Sequence, residues 1–229
     1  MTKEMPDPAT DPLPVRCRRK EARPGELIQA ALDVFVERGY AGARLDDIAQ
    51  RAGVTKGTVY LYFTDKQELF EAVVRETLGS MLTRGQAIAS GFEGSASDLL
   101  REVLARWWRD IVQNDKVSAL PKLMISEAGN FPRLAQFYYQ AVIEPGRALL
   151  REVIVRGIRR GEFRSVDVEN YIHFIIAPLL YRQCMQHSFL LAVPGMNLGS
   201  ENFLETYTEH LLYSLAVRAA PASPMGVAP

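Results

Sequence analysis

The stretch GVTKGTVYLYF, residues 53–63, constrains this chain most, because two helical patterns almost meet there. Gly53 follows a short run of apolar residues at helical spacing, and glycine ends a helix at little cost because it adopts a left-handed backbone easily. Thr55 can then cap a second helix that begins near Lys56. So short a connection forces the two helices to cross steeply, which predicts a helix-turn-helix. The apolar positions that predict the first of these helices are Leu45, Ile48, Ala49 and Ala52.

The second helix of this motif divides into an inner and an outer face. Val59 and Phe63 are expected to face the core, and the polar residues and tyrosines then face outward. In helix-turn-helix proteins the first residues of the second helix meet base edges, while neighbouring side chains contact phosphates. Lys66, at the start of the next helix, is expected to neutralise one phosphate. The alternative is a plain helical turn whose tyrosines pack in the core. On the first interpretation, the residues expected at DNA are Thr55, Lys56, Gly57, Thr58, Tyr60, Tyr62 and Lys66.

The rest of the chain is helical in period, with no convincing alternating run for a strand. A first helix is expected from Gly25 to a stop at Gly39, and a fourth helix, capped by Asp65, over about 66–84. Pro145 and Pro178 interrupt helical patterns and are expected to kink or split those helices. The other helices are expected over about 97–114, 118–127, 131–160, 168–192 and 201–218.

These patterns predict an all-α chain with two domains. An N-terminal three-helix helix-turn-helix domain is expected over residues 24–72, and a larger helical domain over residues 73–219. Residues 1–23, which include the basic run RCRRKEAR, are expected to form a disordered, partly basic arm, and residues 220–229 a flexible tail. The arm is either a solvated tail or a segment that lies along DNA phosphates.

Residues 48–66 carry a specific pattern, I-A-x-x-A-G-V-[ST]-x-G-T, then a hydrophobic residue and Y-x-[YH]-F-x-x-K. The matching residues are Ile48, Ala49, Ala52, Gly53, Val54, Thr55, Gly57, Thr58, Val59, Tyr60, Tyr62, Phe63 and Lys66. With this pattern, the run over about 27–74 closely resembles the DNA-binding domain of the TetR family of bacterial transcriptional regulators. One position departs from the family: Arg44 stands where a serine or threonine usually opens the second helix. A cap is lost there, and Arg44 becomes a candidate for a phosphate contact.

The resemblance also implies partners. It implies a homodimer whose C-terminal helices form both the dimer interface and a small-molecule pocket. It further implies a double-stranded DNA operator, pseudo-palindromic because two identical helices read it, and it favours a repressor that an effector releases from that operator.

Composition bounds the class of function. The net charge is +0, so any affinity for nucleic acid must come from local charges. Cys17 and Cys184 lie far apart and are expected to be free thiols. No histidine pair has a metal-ligand spacing and no catalytic constellation stands out, so we expect no metal, no cofactor and no enzyme activity. The competing hypothesis, an all-α enzyme or scaffold that contains a helix-turn-helix, requires such a constellation.

The N-terminus has no apolar signal segment, and the longest apolar run, residues 174–181, is too short to cross a bilayer. We therefore expect a cytoplasmic protein without a membrane partner.

Large side chains are spread over several of the C-terminal helices. Most are expected to be core, and a subset to line a pocket for an apolar or aromatic effector, since ligand sites are mostly apolar with few polar groups. The pocket candidates are Trp107, Met124, Glu127, Phe131, Tyr138, Phe174 and Tyr181, with Arg182 and Gln183 as further polar anchors. The last helix carries a wide apolar face that fits either a dimer interface or packing within one chain. That face comprises Phe203, Leu204, Tyr207, Leu211, Leu212 and Leu215.

Overall fold

The computed structural model describes residues 24–193, 195–199 and 202–217, and this part of the chain is all-α, as predicted. The first helices are α1, Pro24–Gly42; α2, Leu45–Arg51; α3, Lys56–Tyr60; α4, Lys66–Val74; α5, Ser80–Gly91; and α6, Ala96–Trp107. They are followed by α7, Asp115–Glu127; α8, Pro132–Tyr138; α9, Glu144–Arg159; α10, Val168–Gln186; α11, Phe189–Ala192; and α12, Phe203–Leu215. The predicted arm at residues 1–23 and tail at residues 220–229 lie outside the described residues.

Three π-helical turns interrupt the regular α-helices of the described chain. The first, Arg75–Gly79, joins α4 to α5, so that the chain stays helical without a break from Lys66 to Gly91. The second, Trp108–Val112, extends α6. The third, Tyr139–Ile143, joins α8 to α9.

The helix-turn-helix forms where the sequence predicts it. Gly53 has a φ of +70°, the left-handed backbone that lets α2 end and the chain turn into α3. Thr55 caps α3, because its hydroxyl oxygen accepts a hydrogen bond from the Thr58 N–H at 3.3 Å. Asp65 caps α4 in the same way, accepting from the Glu68 N–H at 2.8 Å. Gly39, the predicted stop, has a φ of +73° and breaks the helical geometry near the end of α1.

The C-terminal helices differ from the predicted ones in their boundaries. The helix that starts at Lys66 is expected to end near residue 84, but it continues through the first π-helical turn to Gly91. The predicted helix over 131–160 is divided by the third π-helical turn, which ends just before Pro145. Proline has no N–H, so it cannot supply a regular hydrogen bond to the preceding turn. α10 continues through Pro178, and only α11 separates from the predicted helix over 168–192.

Two clusters of buried side chains hold the helices together. The first contains the helix-turn-helix, where Phe35 and Phe70 meet edge to face with ring centroids 5.0 Å apart. It also takes in Leu120 of α7 and Leu134 of α8. The second cluster is built from α6, α9, α10 and α12. Because α7 and α8 pack into the first cluster, the packing does not divide at the domain boundary predicted after residue 72.

Within the described ranges, no helix is long and apolar enough to cross a membrane. The His, Cys, Asp and Glu side chains of the same residues form no group that could hold a metal ion. Cys184 is a free thiol, whereas Cys17 lies outside the described part of the chain.

Candidate functional site

The first candidate site is the outer face of α3 and the turn that follows it. Val59 and Phe63 are buried, whereas Tyr60 and Tyr62 are 49% and 40% exposed, so the core does not need either tyrosine ring. Gly57 lies on the same exposed face, and a Cβ there would meet only the Thr55 hydroxyl, at 3.8 Å. A glycine inside a helix costs about 1 kcal/mol relative to alanine. Packing within the chain therefore gives no reason for glycine at position 57.

The polar groups at the start of α3 are held by other side chains of the motif. Lys56 Nζ lies 2.9 Å from Asp46 Oδ1 of α2. This hydrogen bond raises the pKa of Lys56 above its ordinary value, so the ammonium stays charged at neutral pH. The hydroxyl oxygens of Thr55 and Thr58 are 2.9 Å apart and share a hydrogen bond. The side chains on this outward-facing edge are therefore pre-oriented.

Arg44 lies beside this surface, at the N-terminus of α2. Its backbone is extended and its side chain makes no cap hydrogen bond, as expected where serine or threonine is missing. The side chain is exposed and forms no hydrogen bond or ion pair with another described residue. Its guanidinium is available for a partner outside the chain.

Lys66 does not lie as the sequence predicts. Its Nζ donates to the backbone carbonyls of Tyr40 at 2.7 Å, Ala41 at 3.2 Å and Ala43 at 3.1 Å. It also sits 4.6 Å from the centroid of the Tyr40 ring. A lysine ammonium has three N–H donors, so these carbonyls use all of them. Burial lowers the pKa of Lys66. The side chain closes the C-terminal end of α1 and has no donor left for a phosphate.

The second candidate site is a cavity of about 220 Å³ in the larger domain. The helix Lys66–Gly91 forms one side of it, and residues of α6, α7, α8, α9 and α10 form the rest of the wall together with two π-helical turns. Most lining side chains are apolar, and two predicted pocket residues, Trp107 and Tyr138, are among them. Ile125 and Ile143 line the cavity and are also exposed, so the cavity opens to the surface beside them.

All three π-helical turns of the described chain contribute to this wall. The first supplies Leu78, the second Asp110 and Ile111, and the third Val142 and Ile143. Such turns are rare and are often found at functional sites, because the extra residue displaces side chains from the regular helical face. Sequence periodicity did not identify these residues, since a π-helical turn shifts the register that the periodicity assumes. The apolar residues among them are also of the types that fill an ordinary core, so residue type does not distinguish them either.

The polar groups of the cavity differ in their partners. Glu102 and Arg106 pair with each other, with Arg106 Nε 2.6 Å from Glu102 Oε1. Gln183 lines the cavity and is completely buried. Neither its Nε2 nor its Oε1 has a hydrogen-bond partner in the described chain. Burial raises the pKa of Tyr138, so its hydroxyl stays protonated.

Other residues predicted for a pocket lie elsewhere. Met124 is buried in the first core cluster. Phe131 packs against that cluster, and its ring centroid lies 4.8 Å from the ring centroid of Tyr40. Phe174 and Tyr181 are 65% and 63% exposed, because they lie on the outer face of α10. These four residues do not line the cavity, since a large side chain fits a core or a surface as well as a pocket.

Arg182 also lies outside the cavity. It donates a hydrogen bond to the Leu198 carbonyl, and its guanidinium lies 5.3 Å from the ring centroid of Trp108 and 5.1 Å from that of Phe203. This side chain therefore holds the segment before α12 against the end of α6.

Glu127 connects the two parts of the protein instead of lining the cavity. Its Oε1 accepts a hydrogen bond from the Ala41 N–H at 3.2 Å, at the corner between α1 and α2. A Cβ on Gly39 would lie 3.4 Å from the same oxygen, so the contact is close. Two residues earlier in α7, Ile125 lines the cavity. The end of α7 thus touches both the cavity wall and the corner between α1 and α2 of the helix-turn-helix domain.

Comparison with known proteins agrees with this architecture. Residues 27–73 match the model for bacterial regulatory proteins of the tetR family, and residues 93–190 match the tetracyclin repressor-like C-terminal domain. The HTH-type transcriptional regulator RutR of Escherichia coli (strain K12) is 38% identical over 204 residues, which cover 86% of this chain and 90% of RutR. The regulator YdeS of Bacillus subtilis (strain 168) is 27% identical over 167 residues, 72% of this chain and 79% of YdeS.

A solved structure shows the same fold. The transcriptional regulator FadR from Bacillus subtilis, in complex with stearoyl-CoA, superposes with a TM-score of 0.71 at 20% identity, over 84% of this chain and 100% of FadR. Two matched domains in the expected order, a relative that spans nearly the whole chain and a shared all-α architecture lead to one conclusion. This chain belongs to the TetR family of bacterial transcriptional regulators.

Proposed function

We propose that this regulator is a repressor that binds a pseudo-palindromic operator as a homodimer and releases it when a small, mostly apolar effector occupies the cavity. The helix from Lys66 to Gly91 carries the proposal, because one end packs against the helix-turn-helix and the other end lines the cavity. Its first part packs Leu69 and Phe70 into the core of the helix-turn-helix. Its later part places Met81 and Ile88 in the cavity wall. A ligand that displaces this helix therefore shifts α1, which packs on it, and through α1 and α2 the position of α3.

The proposed DNA contacts lie on the outer face of α3 and next to it. Lys56 suits the acceptor atoms of guanine, and the hydroxyls of Tyr60 and Tyr62 suit phosphates. Their exposure supports the assignment, as does a glycine at position 57 that packing does not require. Lys66 is removed from the set because its donors are used within the chain. The remaining proposed contacts are Arg44, Thr55, Lys56, Gly57, Thr58, Tyr60 and Tyr62.

Selection of DNA fragments by the purified protein, followed by titration of the selected duplex, tests this part. Lys56→Ala should change base preference at particular positions by about 1–3 kcal/mol, as expected for the loss of a base contact. Lys116→Ala is the matched control, because Lys116 is also a half-exposed, ion-paired lysine, 2.6 Å from Asp33, but lies on α7. Binding without sequence preference at any salt concentration would contradict the proposal.

The proposed dimer interface is the outer face of α10, with a second copy of this chain as its partner. Phe174, Ala177 and Tyr181 recur at helical spacing and are all exposed. Two recognition helices must reach successive major grooves, roughly 34–36 Å apart, and a symmetric pair meets this requirement most simply. The apolar face of α12, which the sequence leaves open between a dimer interface and packing within one chain, packs within the chain: Leu211 and Leu215 are buried in the second core cluster. A charge at either would disrupt the fold.

Phe174→Glu should therefore give a monomer that binds its operator weakly. Gln136→Glu, which places the same charge at an exposed position of α8, should remain dimeric. Light scattering measures the oligomeric state of both variants, and operator titration measures their affinity for DNA. A dimeric Phe174→Glu protein with full operator affinity would rule out this face.

The effector side of the proposal is supported by the cavity and by the relatives. FadR, which shares the fold, binds stearoyl-CoA in its solved structure, so this architecture accommodates a ligand. A thermal-shift screen of apolar and aromatic compounds, with stearoyl-CoA included, identifies binders of this chain. An effector should weaken operator binding roughly 5–150-fold, which corresponds to a coupling of about 1–3 kcal/mol. Binders that all leave operator affinity unchanged would show that the cavity is not regulatory.

A further inference from the structure

Gln183 is an unusual residue for the wall of an apolar cavity. It follows Ile176 and Leu180 on one face of α10, and all three side chains line the cavity. Gln183 is 0% exposed, and both polar atoms of its amide lack a partner in the described chain. A glutamine amide offers two N–H donors and one acceptor, and leaving such groups buried and unpaired is destabilising. Leucine or methionine would fill the same space without this cost.

The charges of the cavity wall favour a neutral ligand group beside Gln183. The wall contains two cationic and two anionic residues, Arg84, Arg106, Glu102 and Asp110. Glu102 and Arg106 neutralise each other, Arg84 is exposed, and Asp110 is half-buried without an ion pair to another described residue. An anionic group would be buried in the same wall as the Asp110 carboxylate, which is strongly unfavourable. A cationic group has no acceptor, so it would leave Gln183 Nε2 unpaired. A neutral polar group pairs with the amide without that penalty.

The volume sets the size of the ligand. A cavity of about 150 Å³ with apolar walls binds benzene, and this one measures about 220 Å³. It therefore suits a ligand of about nine or ten non-hydrogen atoms, the size of a bicyclic ring system. Trp107 and Tyr138 provide aromatic surface in the wall for such a ring.

We propose that the cavity selects an uncharged, mostly apolar ligand whose carboxamide or lactam group pairs with Gln183. One edge of the glutamine amide presents an N–H and a carbonyl oxygen side by side. A lactam presents the complementary pair, so its carbonyl accepts from Gln183 Nε2 while its N–H donates to Gln183 Oε1. A ketone satisfies only the donor, and a hydrocarbon satisfies neither atom. This inference rests on the proposed function, and it names the chemical class of the effector.

The test uses four probes of similar size and isothermal titration calorimetry on the full chain without DNA. Hydrocarbostyril carries the lactam, β-tetralone only the carbonyl, tetralin no polar group and β-naphthoate a charge. Hydrocarbostyril should bind about ten- to a hundredfold more tightly than tetralin, with β-tetralone between them. Equal affinities, tightest binding of β-naphthoate or no binding of any probe would overturn the proposal.

Two variants assign the preference to the residue. Gln183→Met keeps the side-chain length and should reduce the preference for hydrocarbostyril over tetralin to about threefold or less. Gln186→Met, one turn further along α10 and outside the cavity wall, should keep the wild-type preference. A preference that survives Gln183→Met would overturn the assignment. If Gln183→Met does not fold, the four probes on the wild-type chain decide alone.

The proposed ligand class and the proposed regulatory function can fail independently, and the experiments distinguish the two failures. If hydrocarbostyril binds through Gln183 but leaves operator affinity unchanged, the ligand class is correct and the regulatory role of the cavity is wrong. If a charged acid or stearoyl-CoA releases the operator and Gln183→Met has no effect on that release, the regulatory role is correct and the ligand class is wrong.

Discussion

Replacing Lys66 by methionine should destabilise the protein instead of removing a DNA contact. The ammonium donates to three backbone carbonyls at the end of α1, at 2.7, 3.2 and 3.1 Å. A hydrogen bond from a charged donor contributes about 1.5–3 kcal/mol. Three bonds from one group are not additive, and the site is partly solvated, so we expect a total loss of roughly 2–4 kcal/mol in the free energy of unfolding. Methionine retains most of the aliphatic stem, so this loss reports on the ammonium.

Urea unfolding of the full chain, followed by circular dichroism, measures the effect. For a chain of this length the same loss lowers Tm by roughly 4–16 °C. Lys116→Met is the control, because the half-exposed Lys116 ammonium pairs with one acceptor only, Asp33, which Arg51 also approaches at 3.9 Å, so the loss should be smaller, about 1 kcal/mol. The dependence of operator affinity on salt should be the same in Lys66→Met and wild type, since no phosphate contact is lost. A variant as stable as wild type, with a salt slope smaller by about one unit, would refute this reasoning.

Three further perturbations have defined outcomes. Hydrogen bonds from Arg151, and to a lesser extent from Arg147, lower the pKa of Glu169 from 4.5 to about 2. The ion pairs of Glu169 therefore stabilise the fold above pH 4.5, and this stabilisation is lost as the pH falls through about 2. In urea titrations, Glu169→Gln should reduce the loss of stability between these pH values, and an unchanged pH profile would contradict this role of Glu169. Gly157→Ala should cost about 1–3 kcal/mol, because a Cβ there overlaps the buried Phe163 ring, whereas Gly129→Ala, with nothing within 4 Å, should be close to neutral. Glu127→Ala removes the acceptor for the Ala41 N–H and should reduce the coupling free energy between ligand and operator by about 0.5–2 kcal/mol. A coupling free energy equal to that of wild type would show that Glu127 does not link the cavity to the helix-turn-helix.

Local signals in the sequence predicted the helix-turn-helix well. Gly53, Thr55 and Asp65 each act through the backbone within a few residues, so their roles are visible without tertiary structure. The burial of Val59 and Phe63 follows from helical period in the same way. The family pattern rests on this segment, which is why the class of protein could be predicted from residues 48–66.

The cavity could not be predicted to the same degree, because it depends on distant packing. Lys66 is a surface lysine by sequence, and only the fold brings the carbonyls at the end of α1 within its reach. Phe174 and Met124 are both large apolar residues, yet one is exposed and the other is core. The π-helical turns change the register of wall residues such as Leu78 and Val142, which sequence periodicity does not detect.

The proposed coupling of the cavity to the DNA-reading surface through one helix is tested most directly by the affinity of a ligand with and without DNA. Calorimetric titration of the tightest ligand from the screen into the free protein, and into the protein saturated with its operator, gives two dissociation constants. We expect operator to weaken ligand binding by roughly 5–150-fold, and by the same factor by which ligand weakens operator binding. A ligand with equal affinity for the two states shifts nothing. Identical dissociation constants for a ligand that occupies the cavity would show that the helix does not couple the two sites.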